Sequence, residues 1–198
     1  MHCHYCGRNG VYRCSVCGRP LCAEHSRLRT SCHACKTKTE TGHVFYRWKS
    51  KTERTMIQRL TKRFWGETEQ LTFDRLFDVA ELPAYIAEAD GEIVGFASFV
   101  EADNGLIIVA IGVMPNYQGS GVGKSLIGKV EAEAKKTGKR TLLVSTSNDD
   151  LPALAFYQSI GFQIYEVKPN AIAEKHGRVL KGIGELPVRD EIRLRKAL

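Results

Sequence analysis

Residues 106–126, LIIVAIGVMPNYQGSGVGKSL, join an apolar run, a glycine-rich loop and the start of an amphipathic segment. The run Leu106–Met114 is continuous, which predicts a strand buried on both faces. The segment Lys124–Thr137 predicts a helix, because its apolar residues recur on one side. Free amides at the start of a helix bind anions, and glycines allow a ligand to approach the backbone closely. The order strand, glycine loop, helix therefore predicts a site for a phosphate-bearing ligand.

Three phosphate-binding motifs compete for this loop. A Walker A loop requires glycine five residues before Gly-Lys-[Ser/Thr], but that position, counted back from Gly123, is Gln118. A dinucleotide-binding G-x-G-x-x-G would require glycine at Lys124. The pattern that remains is Gln118-x-x-Gly121-x-Gly123, between a predicted buried strand and a predicted helix.

Similar periodicities predict strands and helices on both sides of the loop. The Asp90-Gly91 pair between two apolar runs indicates a hairpin. Predicted strands are 43–48, 84–89, 92–100, 141–145, 162–167 and 190–194, and predicted helices are 55–65, ended by Gly66, and 151–160, ended by Gly161. This alternation predicts an α/β (α+β) domain in which a mixed sheet lies between helices in three layers.

The loop pattern resembles the acetyl-CoA loop of the GNAT acetyltransferase superfamily, Gln/Arg-x-x-Gly-x-Gly/Ala. Residues 148–162, NDDLPALAFYQSIGF, resemble the second signature of that family, a helix that carries Ala-x-x-Phe-Tyr and ends in Gly-Phe. The resemblance covers roughly residues 43–198, including the hairpin before the loop and the tail ELPVRDEIRL. It implies a GNAT-type fold and an acyltransferase that uses acetyl-CoA to acetylate an amine.

The resemblance also implies where acetyl-CoA would bind. In the family, pantetheine pairs like an added strand with the strand before the loop, where that strand and the next one splay apart. Tyr157 matches the family tyrosine near the thioester sulfur, which protonates or orients the departing thiolate; a packed helix tyrosine is the alternative. Because Asp150 stands where many relatives have asparagine, either it or Asn148 would make that contact. The expected cosubstrate-binding residues are Ile111, Val113, Gln118, Gly119, Ser120, Gly121, Val122, Gly123, Lys124, Ser125, Asn148, Asp150 and Tyr157.

An attacking amine must lose a proton, so the reaction needs a base or a water relay. Many relatives carry a carboxylate on or near the strand before the loop, whereas LIIVAIGV has none. The candidates from the sequence are Glu101, Asp103 and Glu191.

All seven cysteines lie between residues 3 and 35, in four pairs separated by two residues, and His25 completes the third pair with Cys22. Zinc prefers four tetrahedral nitrogen and sulfur ligands, so eight ligands predict two zinc ions with no open position for catalysis. We expect a binuclear structural zinc finger at residues 1–37 and a linker at 38–42, before the domain at 43–198. The predicted ligands are Cys3, Cys6, Cys14, Cys17, Cys22, His25, Cys32 and Cys35.

The spacing of these ligands resembles the B-box and related cross-braced fingers, which most often serve as docking modules. That resemblance implies that Cys3, Cys6, Cys22 and His25 bind one ion and that Cys14, Cys17, Cys32 and Cys35 bind the other. A sequential pairing remains open.

The net charge of +7 is placed unevenly, since residues 1–55 hold 11 Lys and Arg but 3 Asp and Glu. A basic end can bind RNA or an acidic protein surface. Two functions follow. The first is an N-acetyltransferase that the finger guides to an amine of a protein. The second is an adaptor that binds RNA or a ribonucleoprotein and uses the GNAT fold for scaffolding or acetyl-CoA sensing. With no long apolar run or secretory signal in the sequence, we expect a cytoplasmic protein that does not bind membranes.

Overall fold

The computed structural model describes residues 2, 8, 12–13, 19–21 and 44–198, and the structural statements below concern those residues. All eight predicted zinc ligands and the predicted linker at 38–42 lie outside them. Two short strands in the N-terminal part, β1 (Tyr12–Arg13) and β2 (Pro20–Leu21), pair antiparallel.

The described strands from residue 44 onward form one large sheet and two small hairpins. Their bounds are β3 (Phe45–Trp48), β4 (Glu69–Thr72), β5 (Arg75–Asp78), β6 (Ala84–Ala89), β7 (Glu92–Ala102), β8 (Gly105–Val113), β9 (Thr141–Ser147), β10 (Gln163–Lys168), β11 (Leu180–Lys181), β12 (Pro187–Val188) and β13 (Glu191–Ala197). The large sheet has the order β10-β13-β9-β8-β7-β6-β3, and its neighbours are antiparallel except for β8 and β9. The pairs β4–β5 and β11–β12 stand apart from it.

The helices of the described residues are α1 (Arg54–Trp65), α2 (Val122–Lys136), α3 (Leu151–Ser159) and α4 (Ala171–His176). Single 3₁₀ turns occur at Lys51–Glu53, Pro115–Tyr117 and Ile183–Glu185. None of these helices is long and apolar enough to cross a membrane. Helix α1 ends at Gly66, whose φ of +80° lies in the left-handed region that glycine adopts readily.

The sheet buries both of its faces, so the domain has three layers. One core lies under α2 and α3 and includes Leu126, Val130 and Tyr157. The other lies under α1 and β5 and includes Leu60 and Phe77. Burial on both faces accounts for the continuous apolar run of β8 in the sequence.

Strand β8 contains a bulge at its centre. The register pairs Ser98 with Ala110 but Phe99 with Ile108, so Val109 is an extra residue on β8. Val109 and Ala110 consequently both face the core under α1, whereas Ile108 and Ile111 both face the core under α2.

The structure confirms the predicted strands and helices of residues 44–198, with ends displaced by a few residues. The Asp90-Gly91 hairpin is also confirmed, with φ of +52° and +78° at the two residues. The sequence did not predict the β4–β5 hairpin, α4 or the β11–β12 pair. The β4–β5 turn consists of Phe73 and Asp74, both at positive φ, and this pair lacks the glycine or asparagine that usually marks such a turn.

Candidate active site

Strands β8 and β9 separate halfway along their length. Their parallel pairing runs from Gly105 and Thr141 to Ile108 and Val144. Strand β8 continues to Val113 and β9 to Ser147 beyond that pairing. The separation begins at the Val109 bulge, and it leaves a wedge-shaped gap between the carboxyl ends of two parallel strands, where α/β proteins commonly bind ligands.

Backbone groups of β8 line one side of this gap. Because Met114 N–H donates to Val94 C=O on β7 at 2.8 Å, the alternation along the strand turns the backbone groups of Ile111 and Val113 away from β7 and toward the gap. The Val113 carbonyl accepts a hydrogen bond from Gln118 Nε2 at 2.9 Å. Ile111 therefore presents its backbone N–H and C=O to the gap, as an edge strand does to an added chain.

The glycine loop leads from the end of β8 to the start of α2. Gly119 and Gly121 have φ of +77° and +95°, which side chains other than glycine disfavour. Gly121 occupies the N-cap position, and no side chain caps the helix. The helical hydrogen bonds begin with Ser125 N–H to Gly121 C=O at 2.9 Å. The amides of residues 122–124 thus precede the first helical bond, and the positive end of the helix dipole adds to their attraction for an anion.

Two other glycines allow close packing around the gap. A Cβ atom at Gly112 would lie 2.4 Å from the Phe64 ring of α1, and one at Gly123 would lie 3.3 Å from the Phe156 ring of α3. Strand β8 is thereby packed closely against α1, and the start of α2 is packed closely against α3. Gln118 Oε1 is buried without a hydrogen-bond partner in the described part of the chain.

Tyr157 lies on α3, buried within the core under α2 and α3. Its ring packs against Phe156 and Phe162, with centroids 5.3 and 5.6 Å away. Burial, and secondarily the nearby Asp150 carboxylate, raise the pKa of Tyr157 well above its ordinary value. The hydroxyl therefore remains protonated at neutral pH and can donate a proton or a hydrogen bond.

Asn148 and Asp150 both bind neighbouring parts of the chain. The Asp150 carboxylate caps α3 by accepting from Ala153 N–H at 3.0 Å, and burial raises its pKa. Asn148 Oδ1 accepts from the Arg189 and Asp190 amides at 3.0 and 2.9 Å, and its Nδ2 donates to Pro187 C=O at 2.7 Å. The Asn148 side chain thus fastens the end of β9 to the segment before β13.

The structure places two of the three candidate bases far from the gap and engages the third in an ion pair. Glu101 pairs with Leu106, and Asp103 lies in the β7–β8 turn, both at the opposite end of β8 from the glycine loop. The seven residue-to-residue steps from Leu106 to Val113 span about 23 Å at 3.3 Å per step. Glu191 lies at the correct end of the sheet, but it is 2% exposed and forms an ion pair with Arg193 at 2.8 Å.

One further carboxylate at the end of β9 was not a candidate from the sequence. Asp149 is 5% exposed and accepts from Ile183 N–H at 2.9 Å through Oδ2. Its Oδ1 is buried and has no hydrogen-bond partner among the described residues. The signal in the sequence was the Asn-Asp-Asp run directly after the β9 strand, where a side chain reaches the end of the sheet.

The arrangement fits acetyl-CoA and assigns no metal site. The free edge of β8 suits an extended amide-containing chain, and the uncapped start of α2 suits a pyrophosphate. In the described ranges, no group of three His, Cys, Asp or Glu residues is placed to hold a metal ion.

Comparisons with known proteins agree with this geometry. The model of the acetyltransferase (GNAT) family matches residues 45–162. The uncharacterized protein YdhI of Bacillus subtilis is 30% identical over 149 residues, covering 72% of this chain and 91% of YdhI. The [ribosomal protein bS18]-alanine N-acetyltransferase of Haemophilus influenzae is 30% identical over 88 residues, covering 44% of this chain and 60% of that enzyme.

A solved structure has the same fold. The GNAT family acetyltransferase of Elizabethkingia anophelis, determined with acetyl-CoA bound, superposes with a TM-score of 0.61 at 19% identity, covering 81% of this chain and 100% of that chain. The family match extends over more than half of the chain and includes the β8–β9 gap, the glycine loop and Tyr157. The chain therefore belongs to the acetyltransferase (GNAT) family.

Proposed function

We propose that this protein is an acetyl-CoA-dependent N-acetyltransferase that acetylates an amine of a protein. The observation that carries the proposal is the gap between β8 and β9, which opens beside the uncapped start of α2. Such a site would bind coenzyme A in two parts. The gap would bind its extended pantetheine chain, and the start of α2 would bind its pyrophosphate.

Most of the predicted cosubstrate-binding residues can then be given a role. The backbone of Ile111 would bind the pantetheine amides, and the amides of residues 119–124 would bind the pyrophosphate. Lys124 and Ser125 have exposed side chains at the same helix end and can add contacts to phosphate oxygens. Gln118 holds the loop against the end of β8, since its side-chain amide already donates to the Val113 carbonyl.

Acetyl-CoA supplies the thioester that the amine attacks. The amine nitrogen forms the new amide bond while the carbon–sulfur bond breaks, and the Tyr157 hydroxyl gives its proton to the leaving sulfur. The amine must release one proton, and we assign this proton to Asp149 Oδ1, directly or through a water relay. The bases predicted from the sequence are less suitable, because Glu101 lies at the opposite end of the sheet and Glu191 is bound to Arg193.

The choice of a protein as acceptor rests on the basic N-terminal part and on a relative. The enzyme of Haemophilus influenzae is named for acetylating an alanine of a ribosomal protein. In this chain, residues 1–55 hold the whole basic excess, as expected of a docking module. We propose that two zinc ions fold this module and that it guides the enzyme to its acceptor. The alternative of an RNA-binding adaptor rests on the same positive charge and on the absence of a carboxylate from β8.

The test combines radiolabelled acetyl-CoA, the zinc-loaded full chain and a cell extract of its host, with label counted in protein, RNA and small molecules. We expect label in protein, reduced by Tyr157→Phe and unchanged by Tyr165→Phe, which alters an exposed tyrosine on β10. Label confined to small molecules would contradict the protein acceptor. No transfer into any fraction would contradict the enzyme.

A separate measurement tests the zinc module. We expect two zinc ions per chain by elemental analysis, and we expect a chelator to lower transfer to the protein acceptor while acetyl-CoA still binds. A chain that contains no zinc and transfers equally well after chelation would remove the module from the proposal.

A further inference from the structure

A polar stripe crosses the sheet on the face opposite α2 and α3. Residues that pair across neighbouring strands share a face, so the registers place polar side chains of β9, β13 and β10 in two rows. The rows are Ser145, Arg193 and Glu166, and Ser147, Glu191 and Lys168. Such a stripe is unusual for a sheet whose other strands bury apolar residues on both faces, and the β4–β5 hairpin covers it.

Buried charges of the stripe hold the turn of this hairpin. Glu191 Oε1 accepts from Phe73 N–H at 2.9 Å, and its Oε2 accepts from Arg193 Nε at 2.9 Å. Arg193, which is 5% exposed, also pairs with Asp74 at 2.8 Å and stacks over the Phe73 ring at 4.9 Å. Because buried charges are unfavourable unless they are paired, these contacts act together to fix the turn against the sheet.

The turn itself is strained. Phe73 and Asp74 have φ of +52° and +61°, in a two-residue turn of the same kind as Asp90-Gly91. Phenylalanine disfavours this region because its Cβ approaches the following carbonyl. Strain that the surrounding contacts maintain is often found where a protein must place a segment accurately.

The hairpin lies across the β8–β9 gap. The Thr72 hydroxyl hydrogen-bonds with the Ser145 hydroxyl on β9, and β4 contacts both β8 and β9. The hairpin therefore bridges the gap on the face opposite α2 and α3. An acceptor amine that reaches the gap from this face would meet β4.

Gln70 is two residues before Thr72 on β4, so its side chain lies on the same side of the strand and faces the sheet. Its Nε2 is buried and lacks any hydrogen-bond partner within the described residues. A buried amide without a partner is unfavourable, and the rest of the hairpin is held in place by bonds that Gln70 does not make.

We propose that Gln70 binds the acceptor substrate, with its side-chain N–H donating to a carbonyl oxygen next to the amine that is acetylated. This proposal rests on the proposed acetyl transfer and adds the residue that orients the acceptor. Glu191 and Arg193 act as positioning residues, since they hold the hairpin that presents Gln70.

The test compares Gln70→Met and Gln70→Glu with the wild type, using acetyl-CoA and a pentapeptide with an N-terminal alanine as probe. Methionine keeps the volume of glutamine without its amide, so Gln70→Met should fold with an unchanged or raised Tm. We expect its KM for the peptide to rise about 5- to 10-fold, as for one lost hydrogen bond, with the Kd for acetyl-CoA unchanged. Gln70→Glu should raise this KM further, because a carboxylate cannot donate to a carbonyl. Gln163→Ala, on the exposed edge strand β10, is the matched control.

The outcomes separate this inference from the function on which it rests. Transfer by the wild type with an unchanged peptide KM in Gln70→Met would overturn the role of Gln70 alone. A lower peptide KM in Gln70→Glu would also overturn the role of Gln70, since it would show that residue 70 contacts the ammonium group of the peptide rather than a carbonyl. A wild-type enzyme that binds acetyl-CoA but acetylates neither the peptide nor host protein would overturn both proposals.

Discussion

Helices α2 and α3 pack on the same face of the sheet and follow the two strands that separate, yet their first turns differ. At α3 the Asp150 carboxylate accepts from Ala153 N–H, and proline stands in the first turn. At α2 a glycine in the left-handed region takes the cap position, and no side chain caps the amides. The first turn of α3 is satisfied within the protein, whereas that of α2 is left for a ligand.

This difference shows how one sheet can carry two similar helices with separate tasks. Changes at the start of α2 should affect ligand binding more than stability, and changes at the start of α3 should affect stability more than binding. Tyr157 is the exception on α3, because we assign its hydroxyl to the leaving sulfur of the reaction rather than to the fold.

The largest expected effect is that of Tyr157→Phe. Loss of a proton donor to the leaving sulfur should lower kcat by about 100-fold. The ring still packs against Phe156 and Phe162, so Tm and the Kd for acetyl-CoA should change little. Steady-state kinetics with calorimetric binding checks both expectations. An unchanged kcat would show that Tyr157 packs in the core without taking part in catalysis.

The next effect concerns the open end of α2. Gly121→Glu forces a side chain into the left-handed region and places a carboxylate among the phosphate-binding amides. Acetyl-CoA should bind roughly 30-fold more weakly, about 2 kcal/mol, by calorimetry.

Gly138→Glu is the matched control for Gly121→Glu. Gly138 has φ of +72° and open space around it, as Gly121 does, but it lies after the other end of α2. Equal loss of binding in both variants would show that backbone strain, rather than the anion site, caused the effect.

At the start of α3, Asn148→Ala removes three hydrogen bonds that fasten residues 187–190. We expect the free energy of unfolding to fall by about 1.5 kcal/mol in urea denaturation. The Kd for acetyl-CoA should stay within about 2-fold, while Asn104→Ala in the β7–β8 turn should change neither quantity. A large loss of binding with intact stability would instead make Asn148 a contact of the cosubstrate.

The smallest effect is a pH dependence at the cap of α3. Burial raises the pKa of Asp150, so the folded state binds its proton more tightly than the unfolded state does. The associated stability is fully present below the ordinary aspartate pKa and is lost as pH rises through the raised value. Asp150→Asn keeps a capping oxygen without the charge. The free energy of unfolding of this variant should exceed that of the wild type by less than about 1 kcal/mol near pH 8, and the difference should vanish near pH 4. A difference that grows toward low pH would contradict the direction of the shift.

The sequence predicted the parts of the site that local patterns encode. The apolar run of β8, the glycines at positive φ and the helix that carries Tyr157 each have a signature over a few residues. The position of the gap was expected only through the family resemblance, since nothing in LIIVAIGV marks Val109 as an extra residue.

Other features depend on distant contacts and could not be predicted in this way. The Phe73-Asp74 turn is held by Glu191 and Arg193, more than a hundred residues later in the chain. Glu101 is close to β8 in sequence, but it lies at the wrong end of that strand. Sequence proximity placed this candidate beside β8, whereas Asp149, to which we assign the proton, follows β9.

The bulge at Val109 divides β8 into two short segments, and the alternation of side chains between the two faces of the sheet shifts by one residue from the first segment to the second. Val109 and Ala110 face the same core, so every residue beyond them points to the side opposite to that expected from a regular count. Deleting Val109 would remove the extra residue, restore a regular alternation and leave residues 111–113 on the faces that they already occupy. Gly112 would still meet the Phe64 ring, but the bulge at which β8 separates from β9 would be lost. Deletion of Val109 should therefore weaken acetyl-CoA binding more than Val109→Ala does, because only the deletion removes the bulge.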